Sequence, residues 1–91
     1  MRARFKLELT PRFERRFRSL DRQIQSRILK ELWALAENPY TGKMLRGTWK
    51  DVLSLRVGDY RVLYLVTKEK VVLLSVGHRR RVYENTASFS R

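Results

Sequence analysis

The chain has 91 residues, with 21 Lys and Arg against nine Asp and Glu, a net charge of +12 and no cysteine. That length makes one domain, taken as residues 1–91, and the missing thiols exclude disulfides, thiolate catalysis and thiolate-bound zinc. Hydrophobic content of 43% supports a core, and the charge favours a polyanion such as nucleic acid or an acidic protein. Arg2, Arg4, Lys6 and Glu8 leave no apolar signal-peptide core. No run reaches the ~20 apolar residues of a membrane span, which with the absence of cysteine suits a cytoplasmic protein and no membrane partner.

In chain order, Ala3 to Leu9 alternates, with Phe5, Leu7 and Leu9 on one face of a half-buried strand. Thr10-Pro11 is an N-cap followed by Pro at the first helical position. Phe13, Phe17 and Leu20 then mark a short amphipathic helix, with Arg12, Arg15, Arg16 and Arg18 on its other side. Asp21 or Ser19 can cap a second helix. Its buried stripe is Ile24, Ile28, Leu32 and Leu35, widened by Leu29, Trp33 and Ala36. Asn38-Pro39 stops it, because the residue before Pro is pushed out of the α region. The two helices form an αα-hairpin over one face of a sheet. Residues 38–50 read as a loop. Strands then follow at Val52–Val57, Tyr60–Val66 and Val71–Val76, joined by turns at Gly58-Asp59 and Lys68-Glu69. The fold class is α+β: an N-terminal strand, an α-hairpin, then a three-stranded antiparallel meander in one sheet with the helices on one face. Residues 84–91 are small and polar, and read as a flexible tail.

Period-two alternation sorts the strand residues between two faces. Leu53, Leu55, Val62, Tyr64, Leu74 and Val76 go under the helices. Ser54, Arg56, Arg61, Ser75 and Arg79 go to the other face, with Tyr83 arriving from the strand end. Three arginines converging on rigid strands suit a phosphate. They offer bidentate, charge-assisted hydrogen bonds and can stabilise the extra charge of a phosphorane-like transition state. An aromatic beside them can stack on a base. The bland alternative is an exposed sheet face solvated by arginines.

Three pieces carry a resemblance: Leu45-Arg46-Gly47, Leu55-Arg56-Val57-Gly58-Asp59-Tyr60-Arg61-Val62-Leu63-Tyr64, and Ser75-Val76-Gly77-His78-Arg79 running to Val82-Tyr83. In this order and spacing, in a basic chain of this length, they resemble the RelE/ParE toxin superfamily of prokaryotic toxin–antitoxin systems. The resemblance implies a curved antiparallel sheet and an acidic cognate antitoxin that wraps the sheet and helices. RelE-like members are ribosome-dependent mRNA endonucleases that cut in the decoding site without metal or cofactor, the ribose 2′-OH attacking the adjacent phosphate. ParE-like members instead inhibit DNA gyrase. By the RelE-like pattern, Arg61 would stabilise the scissile phosphate. Arg79 would stabilise charge or assist the leaving 5′-oxygen, and Tyr83 would orient or stack on a base. Arg56 would add a phosphate contact, with Arg46, Lys50, Arg80 and Arg81 as further RNA contacts.

One departure stands out. Several RelE-like nucleases carry lysines where this chain has Val52 and Ser54, which leaves the general base open among Lys50, Asp51, Glu84 and His78. Histidine suits proton transfer near neutral pH, but alternation turns His78 to the helix side, away from Arg79. Trp33 reads as core or helix-edge packing, and Trp49 as either a base platform or sheet-edge packing. The alternatives to an mRNA interferase are a gyrase inhibitor and a non-catalytic nucleic-acid-binding relative.

Overall fold

A computed structural model describes residues 4–45 and 51–83. The elements run β1 (Lys6–Leu9), α1 (Pro11–Arg18), α2 (Arg22–Glu37), a 3₁₀ turn (Pro39–Thr41), β2 (Lys43–Met44), β3 (Leu53–Val57), β4 (Tyr60–Val66) and β5 (Lys70–His78). The five strands lie in the order β1-β5-β4-β3-β2.

Each boundary has a local cause. β1 starts at Lys6, later than alternation suggests, and Leu9 at its end is 46% exposed. Thr10 Oγ1 accepts from the Phe13 N–H and caps α1. Pro11 follows where no N–H is needed. Phe13 is buried and stacks on Phe17 with ring centroids 5.7 Å apart. Arg15, Arg16 and Arg18 fill the last turn, where the helix dipole favours cations. The Gln25 side-chain amide donates to the Leu20 and Phe17 carbonyls at 2.8 and 3.1 Å, tying the end of α1 to α2. α2 buries Ile28, Leu32, Leu35 and Ala36 and ends before Asn38-Pro39. Leu29 and Trp33, expected to widen that stripe, face outward instead, Trp33 at 64% exposure. The buried stripe is therefore narrower than the apolar one. No helix among the described residues is long and apolar enough to cross a membrane.

β3, β4 and β5 form the expected meander, with Leu55 opposite Val62 and Val62 opposite Val76. Gly58 has a positive φ of 62° at the first central position of the β3–β4 turn, the pattern of a II′ turn. Two features go beyond the expected antiparallel meander. β1 pairs parallel with β5, Lys6 opposite Lys70. β2 adds an edge strand to β3, Lys43 opposite Ser54 and Met44 opposite Leu53.

A bulge resolves the two faces differently from strict alternation. Leu63 faces Ser75 and Tyr64 faces Leu73, so Leu74 is the extra residue. Alternation puts Leu74 under the helices. The structure puts Val71 and Leu73 there, packed with Phe13, Ile28, Leu32, Leu35, Val62, Tyr64 and Val76. Leu74 joins a second, smaller core on the opposite face with Val52, Leu63 and Val82. Val82 returns to that face because the His78 carbonyl accepts from both Arg81 and Val82 N–H groups, at 2.8 and 2.9 Å. Ser54 and Ser75, expected on an open surface, are consequently buried, Ser75 completely.

Candidate functional site

The second sheet face is thus covered at its β5 end and open toward β2 and β3. There Lys43, Leu45, Ser54, Arg56, Arg61 and Tyr83 line a cavity of about 310 Å³. That is near the lower end of small-ligand pockets, roughly 300–1,000 Å³. Arg56 and Arg61 are direct cross-strand partners on β3 and β4. Like charges in that relation weaken a sheet, so the pair makes physical sense where an anion sits between them. Arg61 Nη1 donates to the Gly58 and Tyr60 carbonyls at 3.1 and 3.0 Å, which folds the side chain over the II′ turn and orients its fork. Arg56 is exposed, and Tyr83 is 37% exposed at the rim. Among the described residues no carboxylate lines this cavity. Three cations, a small hydroxyl and a phenol ring form a receptor for an anion attached to something planar.

Of the residues the sequence nominates, Arg56, Arg61 and Tyr83 meet. Arg79 does not line the cavity. β5 ends at His78, so Arg79 leaves the strand alternation that would aim it there. Its N–H donates to the Asp59 carbonyl at 2.8 Å and its Nε lies 3.9 Å from the Asp59 carboxylate. Arg80 and Arg81 lie in the turn after β5, exposed and also outside the cavity. Arg46, Lys50, Trp49 and Glu84 lie outside the described residues. Asp51 lines a separate cleft with Tyr40, Met44, Leu53, Leu65, Val66 and Thr67. His78 packs edge-on against Tyr60, centroids 5.6 Å apart, and its Nδ1 accepts from the Arg80 N–H. Among the described residues no three His, Cys, Asp or Glu side chains converge as a metal site would require.

Lys43 and Leu45 are the cavity residues that sequence reasoning missed. Two residues of edge strand show no alternation, and Gly42 and Pro39 nearby read as loop. What carries Lys43 to the site is a buried side chain. Tyr64 on β4 donates its phenol hydrogen to the Pro39 carbonyl at 2.8 Å and accepts from the Gly42 N–H at 3.0 Å. The 39–44 segment is thereby held against β3.

Residues 7–83 match a family described as "ParE toxin of type II toxin-antitoxin system, parDE". Among solved structures, a chain of the RelBE2 toxin–antitoxin complex from Mycobacterium tuberculosis is 30% identical. The match covers 85% of this chain and 93% of that one, with a TM-score of 0.78. A chain of the intact Escherichia coli RelBE toxin–antitoxin complex is 31% identical over 81% of this chain and 95% of that one, TM-score 0.69. A chain of the Staphylococcus aureus YoeB–YefM complex, 15% identical over 84% and 98% of the two chains with a TM-score of 0.69, shares the fold. Comparison with curated protein sequences gives no match.

Proposed function

Because the chain belongs to the RelE/ParE superfamily of type II toxin–antitoxin toxins, we propose that it is an mRNA interferase that cleaves ribosome-bound message and is neutralised by an acidic antitoxin. The observation that carries this reading is the cavity where Lys43, Arg56, Arg61 and Tyr83 meet, with no carboxylate among its described lining residues. In the reaction, the ribose 2′-oxygen attacks the adjacent phosphorus and the bond to the 5′-oxygen breaks. The products are a 2′,3′-cyclic phosphate and a 5′-hydroxyl. The phosphorane-like state gains negative charge on its non-bridging oxygens. Arg61, pre-oriented by the turn carbonyls, and Arg56 beside it supply donors to that charge at little reorganisation cost. Tyr83 at the rim would hold a base and set the 2′-oxygen in line.

The lysines that some relatives carry on β3 are absent here, and Val52 is buried in the second core. A lysine returns to that neighbourhood from the next strand. Lys43 stands directly opposite Ser54 and lines the same cavity. We assign it the positive charge at the phosphate that the neutral Ser54 hydroxyl cannot supply. Arg79 can join only by leaving Asp59. The long separation and exposure of that pair make its contribution roughly 0–1 kcal/mol, so a phosphate could displace the carboxylate.

The test is cleavage of message on programmed ribosomes. Arg61→Ala is expected to lower the single-turnover rate by about 10²–10³, as loss of one such donor does elsewhere. An unchanged rate would overturn the mechanism. The family description and the position of Arg79 outside the cavity favour a second reading, a gyrase inhibitor. Filamentation and DNA-damage signalling on induction, with intact message, would select it.

A further inference from the structure

Arg56 lines two cavities. Besides the one described, it borders a cleft of about 290 Å³ lined by Arg27, Lys30 and Glu31 of α2 and by Val57 and Gly58 at the β3–β4 turn. Arg27 and Lys30 are three residues apart and therefore lie on one helix face. Arg27 reaches the turn closely: a Cβ added at Gly58 would stand 3.0 Å from its Nη2. Gly58 thus serves both the turn, through its φ of 62°, and the approach of a guanidinium. The side chains of Arg27, Lys30 and Arg56 have no hydrogen bond or ion pair among the described residues. Among the described residues lining this cleft, three cations thus face one carboxylate, Glu31.

We propose that the anion-binding surface continues from the cavity across Arg56 onto α2, where Arg27 and Lys30 hold the phosphate backbone of the same nucleic-acid strand. This rests on the nucleic-acid reading above. From Ser54, the level of Lys43, to Val57 is three strand residues, about 10 Å. At ~3.4 Å of rise per stacked nucleotide that spans about three phosphates. An acidic protein segment fits the cleft less well. Peptide partners are anchored by buried aromatic and aliphatic contacts, and among the described residues Val57 is the only apolar side chain lining it beside the charged groups.

The experiment measures binding of 2′-O-methyl single-stranded RNA, a dinucleotide and an octamer, to the purified full chain. Arg27→Gln with Lys30→Gln is expected to weaken the octamer about tenfold. It should also flatten its log K against log salt slope by about 1.4, two contacts at ~0.7 each, and leave the dinucleotide unchanged. Arg61→Gln should weaken both ligands. Lys6→Gln with Lys68→Gln, an equal loss of charge at exposed sites on β1 and the β4–β5 turn, should leave both unchanged. An equal loss in that control pair would reduce the effect to net charge and overturn the track. Full octamer affinity in the α2 variant, with Arg61→Gln still weakening both ligands, would overturn the track and leave the cavity standing. No effect of Arg61→Gln on either ligand would remove the cavity and the track together. A greater loss for an acidic peptide of equal charge than for the octamer would transfer Arg27 and Lys30 to a protein partner.

Discussion

Tyr64 is the residue on which the site most depends without touching it. Its ring is fully buried, and its hydroxyl is the shared partner of the Pro39 carbonyl and the Gly42 N–H. Phe in its place keeps the packing and leaves both backbone groups unpartnered, which costs about 1–3 kcal/mol. Thermal denaturation of Tyr64→Phe should therefore show a Tm lower by about 4–8 °C per kcal/mol. RNA affinity should fall as well, because Lys43 loses its anchor. Gly42→Ala should act in the same direction, since a Cβ there would collide with the Tyr64 hydroxyl and stand 3.0 Å from the Ser54 carbonyl. The phenol also predicts a pH dependence. Burial pushes the Tyr64 pKa above its usual value near 10, against a smaller opposing effect of the Gly42 N–H. A raised phenol means that the fold favours the neutral form. Its stabilisation is complete below about pH 10 and is lost as pH rises through the folded value. Lys70, raised mainly by its hydrogen bond to Glu8, loses that partner's attraction in the same direction. Chemical denaturation between pH 9 and 11.5 should thus show a weaker, but not absent, alkaline loss in Tyr64→Phe than in the native chain. An identical slope in both proteins would show that Tyr64 does not titrate on unfolding. Ser75 makes the contrasting case. Its hydroxyl is buried with no hydrogen-bond partner among the described residues, so Ser75→Ala should leave stability unchanged or raise it, and a loss above about 1 kcal/mol would reveal a partner for that oxygen.

At the scale of elements, Thr10 joins two irregularities into one device. Its hydroxyl caps α1, and the same oxygen donates toward the Leu73 and Leu74 carbonyls at 2.8 and 3.2 Å, where the bulge interrupts the β4–β5 ladder. Thr10→Ala should cost about 1–2 kcal/mol, and Thr10→Ser should recover most of it in the same denaturation experiment. A loss that serine does not restore would assign the effect to the methyl group rather than the hydroxyl. The bulge also shows where the sequence stopped being legible. Tyr60–Val66 is bounded by Gly58-Asp59 and Thr67-Lys68 and its one charged residue, Arg61, fixes the parity, so β4 could be read to its ends. Thr10-Pro11 and Asn38-Pro39 likewise marked the start of α1 and the end of α2. In Val71-Val72-Leu73-Leu74 both faces of the strand are apolar, so no pattern distinguishes one parity from the other. The slip therefore placed Leu74 on the wrong face, while Ser75 kept its face and was buried by the second core. β2 is too short to alternate, and the parallel pairing of β1 with β5 depends on a partner that alternation cannot name. The site divided along the same line. Arg56 and Arg61 were legible because a regular hairpin places them, and Tyr83 reaches the rim through the turn on the His78 carbonyl rather than by strand alternation. Arg79 was misplaced because regular structure ends one residue earlier, and Lys43 was missed with its strand.

At the scale of the molecule, the charge of +12 has two consequences that salt can separate. One is self-repulsion, which weakens the free fold. It is concentrated on α1, where burial and the neighbouring Arg16 and Arg15 hold the Arg12 guanidinium below its ordinary pKa. Ion pairs among the described residues, Arg4–Glu37, Arg18–Glu14, Lys70–Glu8 and Arg79–Asp59, involve exposed side chains, and such pairs contribute little. The other consequence is affinity for polyanions, which stabilise the fold by mass action, about 2.7 kcal/mol at a hundredfold excess over Kd. Salt acts on the two in opposite senses: it screens the repulsion and competes for the ligand sites. Between 50 and 500 mM NaCl, the Tm of the free chain is expected to rise. The increment given by a single-stranded RNA octamer should shrink from about 10–20 °C at saturating ligand toward zero, so that the two melting curves converge. If the free chain instead lost stability with salt, its exposed ion pairs would outweigh its repulsion. The force drawing a partner to this surface would then have to be shape rather than charge.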